Sequence, residues 1–336
     1  MAYTWDPEYL ASHTEEAIGP RLPIIDPHHH LWDAPGLQPY LVPQLHEDTG
    51  AGHDIVATVF IDCVWDYRTD GPRELRALGE TERALRAARE TRESGGAVIG
   101  GIVSHADMML GAEAGRVLDA HAEAGAGLFR GIRHATAYAD DPAVHRSHTK
   151  PAPGMMREQQ FHDGVRELAK RGMTFDAWLY QPQIPELTEL ADAVPDCTMV
   201  LDHLGGPLAV GKRQGQREEV LAEWRPRIDE IARCENVVIK LGGIGMKVFG
   251  MGFQNNPVAP SSDDLVAAWG EPIRYAIERF GPERCMFESN FPVDRESTSY
   301  VVLWNAFKKI ASQYSEAEQR ALLHDTAQRV YRVDTT

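Results

Sequence analysis

Cysteine is scarce. The four present, Cys63, Cys197, Cys234 and Cys285, lie far apart and form no Cys-x-x-Cys pair. That excludes a disulfide framework, and three of them sit in or beside apolar strand-like runs, as buried reduced thiols do. Positive charge is also short. Lys and Arg total 34 against 50 Asp and Glu, for a formal charge of -16, which argues against a nucleic-acid backbone as partner. No apolar run reaches the length of a membrane span, so no membrane partner is expected. Met1 to Pro20 lacks the basic start and apolar stretch of a secretion signal. The expectation is a cytoplasmic protein acting on a small molecule. No Gly-x-Gly-x-x-Gly opens a helix after a strand, which removes the main argument for an open dinucleotide-binding sheet. Internal repeats and low-complexity linkers are missing too.

What is present is an apolar share of 43% over 336 residues, enough for one large core. Short apolar runs without clean alternation recur at 23–33, 54–62, 97–103, 128–134, 173–179, 197–203, 236–241 and 285–289. Such strands are buried on both faces, as in a parallel sheet. Helical patterns separate them, at 72–91, 111–123, 156–171, 186–193, 218–233 and 263–280, with two more at 299–314 and 315–330. Eight strand–helix units predict an α/β protein of the (β/α)8 TIM-barrel class. Residues 1–21 read as a polar N-terminal arm and 22–336 as one barrel domain. Residues 34–53 read as a loop rich in Pro, Gly and Leu. Two longer loops, 135–154 and 242–261, exceed ordinary connections and are expected to be functional.

The first strand runs into His28-His29-His30. Side chains alternate along an extended chain, so His28 and His30 share a face and His29 takes the other. Two converging imidazoles can hold a divalent metal or a polarised carbonyl. Barrel chemistry sits where strands end, and the polar residues at those ends are His28, His30, Asp62, Arg133, His134, Tyr180, His203, Lys240, Glu288 and Asn290. Arg130 and Arg133 face opposite ways. Arg133 is the expected carboxylate clamp, and Arg130 a structural pairing residue. His203 precedes Leu204-Gly205-Gly206-Pro207, a segment that lets the backbone turn sharply against a ligand; Asp202 is expected to face away from it as a support. Lys240 reads equally as an anion clamp or as a snorkelling strand-end lysine.

Several stretches together resemble the lactonase-type branch of the amidohydrolase superfamily, which includes pyrone-dicarboxylate lactonases, fuconolactonases and sulfomuconolactone hydrolases. They are Ile25 to Trp32, Arg130 to His134, Leu201 to Pro207, Asn236 to Leu241 and Cys285 to Pro292. The resemblance implies a hydrolase opening a small, carboxylated cyclic ester. His28, His30 and His203 would polarise the carbonyl and Arg133 would grip a carboxylate; from their strand-end positions, His134, Tyr180 and Lys240 are the further expected substrate contacts. The family's last strand ends in Ser-Asp-Trp-Pro or similar; here Ser289-Asn290-Phe291-Pro292 stands. Asn290 replaces the aspartate that takes the proton from water, and a carboxamide cannot do that. Glu288 or Asp294 becomes the expected base, with the histidines as alternatives. The lost anion weakens a metal site, so one Zn²⁺ on His28, His30 and His203 and a metal-independent mechanism both stay open. Two further readings are a metal-dependent non-oxidative decarboxylase and a catalytically impaired barrel that binds a small acid. Barrels of this kind often self-associate, which makes a homo-oligomer an expectation.

Overall fold

A computed structural model describes residues 4–334. Among them, eight parallel strands pair in sequence order: β1 (Pro23–His29), β2 (Asp54–Ile61), β3 (Val98–Ser104), β4 (Phe129–Arg133), β5 (Thr174–Ala177), β6 (Met199–Leu201), β7 (Val237–Leu241) and β8 (Cys285–Phe287). Closure comes from the residues just past β8. Asn290 N–H donates to the His28 carbonyl oxygen (2.9 Å), and His30 N–H donates to that of Phe291 (2.8 Å). The seam of this nearly closed TIM barrel therefore pulls Asn290 beside the histidine strand.

Helices jacket the barrel: α1 (Pro7–Ala11), α2 (Val42–Thr49), α3 (Leu78–Ser94), α4 (Ala114–Ala124), α5 (Gln159–Ala169), α6 (Ile184–Ala193), α7 (Arg217–Ile231), α8 (Ser262–Phe280), α9 (Tyr300–Ala311), α10 (Glu316–Arg320) and α11 (Thr326–Tyr331). Their starts follow local chemistry. At α8 the Ser261 hydroxyl accepts from Asp264 N–H, and the Asp264 carboxylate accepts from Ser261 N–H, a reciprocal cap. No helix among the described residues is long and apolar enough to cross a membrane.

Two expectations need correction. The 34–53 stretch contains α2, which a proline in its first turn starts and Gly50 ends; Pro and Gly there punctuate a helix rather than mark a loop. The polar arm contains α1, and Trp5 and Leu10 of that segment are buried against the barrel.

The barrel interior holds its own apolar layer, including Ile25, Val59, Ile61, Val103, Val200 and Val238. Tyr331, at the end of α11, stoppers the lower mouth and is fully buried. Its hydroxyl donates to Asp176 at 2.5 Å. Above that layer the interior turns polar.

Candidate active site

His28 and His30 do share a face. Their Nε2 atoms lie 3.3 Å apart, and His29 points outward against Phe60. His203 joins them from across the barrel, its ring centroid 4.5 Å from that of His28. Hydrogen-bond partners fix the tautomers. His30 Nδ1–H donates to the Ile61 carbonyl oxygen (2.8 Å). His28 Nδ1 lies 2.8 Å from Glu288 Oε2, and His203 Nδ1 lies 2.6 Å from Glu288 Oε1. Protons on Nδ1 of His30 and His203 leave those two Nε2 atoms bare; His28 has a donor-only group at each nitrogen, the Lys240 ammonium 3.2 Å from Nδ1 and the Arg133 guanidinium 3.3 Å from Nε2. Burial, with the Lys240 charge next, drives His28 well below the ordinary histidine range. Burial likewise takes His203 down to about 3. All three rings rest neutral.

Glu288 is fully buried beneath the rings and does not line the cavity above them. The expectation of a carboxylate that meets water directly is therefore corrected: it backs two histidines instead. Burial pushes its carboxyl up to about 8, against the opposing pull of Lys240 and the His203 N–H. Asp294 is corrected on the same ground. It is fully buried, accepts from Asn290 Nδ2 (2.8 Å) and Gly245 N–H (2.8 Å), and burial holds it well above the usual carboxylate range. Asn290 itself reaches the cavity, with its backbone at φ +55°.

Lys240 is not a substrate clamp in this geometry. Its ammonium is fully buried, 2.9 Å from Asp176 and 3.1 Å from Asp202. Burial works against the charge, but Asp176, Asp202 and Glu288 hold it up at about 12. Asp202 does not face away from the site: its Oδ1 lies 3.8 Å from His28 Nδ1. The alternation rule fails because the strand ends at Leu201 and His203, Leu204, Gly205 and Gly206 all take positive φ. At Gly206 only glycine fits, since a Cβ would collide with the Leu179 carbonyl oxygen. Removing one partner from a buried ion pair strands the other. Lys240→Met is therefore expected to cost about 3–5 kcal/mol, read as a lower urea midpoint at unchanged slope.

His134 is also corrected. It is buried among His105 and Phe161, accepts from Met108 N–H, and lies outside the cavity. It follows Arg133 in the chain, so alternation turns it away from the barrel axis. Arg130 pairs with the carbonyls of Gly127 and Gly100 at the far end, as expected of a structural residue. Arg133 faces the cavity. Its Nη2 donates to the Asp62 carbonyl oxygen. Tyr180 also lines the cavity, and its hydroxyl donates to the His145 carbonyl oxygen (2.7 Å).

The cavity above the histidines measures about 240 Å³, roughly eight waters at ~30 Å³ each, which suits one substituted ring. Both long loops wall it, the first through Ala135, Ser147 and His148 and the second through Met246, Lys247 and Val248. Trp32 and Trp178 add apolar faces. Sequence reasoning passed over His105 and His148. Their only signal was histidine within or beside unusually rich loops.

The donor set admits one metal ion. The His28 and His30 Nε2 atoms, 3.3 Å apart, match two ligands with ~2.0–2.1 Å bonds to one tetrahedral centre, once Arg133 releases His28. The ligand atoms that converge with that of His203 within 4.8 Å are those of His28 and Asp202, not His30.

A barrel with a His-x-His first strand, a strand-six histidine and a cavity built by strand-end loops defines an amidohydrolase-like class of site. The amidohydrolase family profile (Amidohydro_2) matches residues 25–333, and the chain belongs to that family. It is 31% identical to the uncharacterized protein y4mH of Sinorhizobium fredii, over 92% of this chain and 98% of that one. It is 30% identical to the L-fucono-1,5-lactonase of Burkholderia multivorans, over 52% of this chain and 56% of that one. A solved amidohydrolase from Burkholderia multivorans with bound zinc superposes with a TM-score of 0.71 at 25% identity, covering 93% of this chain and 99% of that one.

Proposed function

We propose that the protein hydrolyses a small lactone carrying a carboxylate. The observation that carries this reading is the His203–Glu288 contact of 2.6 Å beneath a ring-sized cavity, an imidazole backed by a buried carboxylate with its second nitrogen bare. That is the arrangement of a general base. As water attacks the ester carbonyl, its proton passes to His203 Nε2, and Glu288 stabilises the imidazolium through Nδ1. The second N–H of Asn290, whose first is fixed on Asp294, donates to the developing oxyanion. The ring C–O bond then breaks, and the alkoxide takes the proton back from His203. Arg133 anchors the substrate carboxylate. A Zn²⁺ held by His28 and His30 would supply a Lewis acid for the carbonyl and leave His203 Nε2 free as the base; the zinc-bound Burkholderia structure supports that addition.

Support for a lactone comes from the L-fucono-1,5-lactonase relative and from the cavity's size and cationic wall. The test is a panel of carboxylated lactones, with and without added Zn²⁺, followed by acid release. Ring opening is expected. Folded protein that opens none of them overturns the reading, and CO₂ release without ring opening replaces it with decarboxylation. Asn290→Asp is expected to lower kcat by about 10²–10³, because it removes the donor and sets a second carboxylate against Asp294. An inactive wild type that gains hydrolysis on this change would instead mark a binding barrel.

A further inference from the structure

A second cluster of ligand-type side chains stands at the cavity's edge, apart from the three histidines on its floor. Asp62 follows β2, His105 follows β3, and His148 comes from the first long loop. One ligand atom from each lies within 4.8 Å of the other two. We propose that these three residues form a second site for a divalent transition-metal ion.

Three independent observations support it. Asp62 is fully buried, and no N–H or hydroxyl group donates to its Oδ2 among the described residues; the buried Glu80 carboxyl shares a hydrogen bond with Asp62. Arg133 Nη2 and His148 Nε2 are each 3.8 Å from that oxygen. That is too far for a hydrogen bond but within the span of two ~2.0–2.2 Å bonds to one ion. The other carboxylate oxygen is occupied, accepting from the Tyr67 hydroxyl at 2.6 Å. Finally, His105 Nδ1 lies 3.3 Å from the Arg133 carbonyl oxygen. A proton there leaves Nε2 as a lone pair, the usual outer support of a metal-binding imidazole.

Two imidazoles and one carboxylate select Zn²⁺, Co²⁺, Ni²⁺ or Fe²⁺ over Mg²⁺ and Ca²⁺. His148 is about one-third exposed (34%) and lines the cavity, so a ligand entering the cavity can reach this ion. The ion would sit beside Arg133 and present a second positive centre to an anionic substrate. His148 rides on a loop rather than a strand, so it can close the remaining gap around the ion.

The probe is Co²⁺ added to chelator-stripped full-length protein, with visible absorption and bound metal measured after dialysis. His105→Ala and His148→Ala are each expected to remove one equivalent of Co²⁺ and its absorption bands. His28→Asn is expected to keep that equivalent. Circular dichroism checks folding, and His148→Ala, on a partly exposed loop, leaves the barrel intact. The proposal is overturned if the wild type binds no Co²⁺ in large excess. It also fails if the count is unchanged in both variants, or if the equivalent vanishes in His28→Asn.

Discussion

Replacing His203 with asparagine should lower kcat for lactone opening by about 10²–10⁴-fold while the protein stays folded. Asparagine tolerates left-handed backbone, and His203 sits at φ +53°, so this change removes the ring without adding strain. What disappears is the nitrogen that receives the water proton. His28 and His30 remain, but Arg133 already faces the Nε2 of the first, and the second is backed by a neutral carbonyl rather than a carboxylate. Neither can replace a histidine whose imidazolium is stabilised by Glu288. Turnover above a tenth of wild type, in a variant with unchanged thermal unfolding, would remove His203 from the mechanism.

The second large effect concerns pH, where activity and stability should move in opposite directions. Glu288 must be ionised to support His203 as a base, and burial raises its carboxyl to about 8. The expected kcat/KM therefore climbs with pH and levels off above about 8. Stability runs the other way. A carboxyl raised above its unfolded value of 4.5 binds its proton more tightly in the folded state. Its contribution is complete below the unfolded value and is lost as pH rises through the folded one. Every tenfold gain in proton affinity corresponds to about 1.4 kcal/mol, so the loss across that window amounts to several kcal/mol. His203, lowered to about 3 from 6.5, acts in a lower window that overlaps this one, its contribution fading as pH falls through the folded value. Glu288→Gln isolates the carboxyl. It should cut activity at every pH, abolish the alkaline rise, and gain on the wild type in urea stability as pH increases through the window. A wild-type profile flat from pH 6 to 9, or an unchanged stability difference, would show that this carboxyl does not titrate there.

Much of this arrangement was readable from the chain. Apolar runs buried on both faces marked the eight strands, and the period of two placed His28 and His30 together with His29 outside. The split between Arg130 and Arg133 followed from the same parity. Parity stopped working where the backbone left the extended region. Four consecutive residues of positive φ, from His203 to Gly206, brought Asp202 and His203 to one side, and only the two glycines among them advertise such a conformation. For Lys240 neither the anion-clamp nor the snorkelling reading holds, for another reason. Whether a strand lysine reaches up into a cavity or down into the barrel depends on which anions wait on each side, and Asp176 and Asp202 come from β5 and the end of β6, remote from it along the chain. The α2 helix was too short for its period to emerge from a Pro- and Gly-rich stretch. His105 and His148 meet through a loop path that local sequence does not encode.

The last turn of the chain has an influence beyond closing the barrel's floor. Tyr331 holds Asp176, Asp176 holds Lys240, and Lys240 lies 3.2 Å from His28 Nδ1. Three contacts thus connect the carboxyl-terminal helix to the reacting groups at the opposite mouth. Losing Tyr331 would free an acid in the barrel and reset the charge balance under the imidazoles.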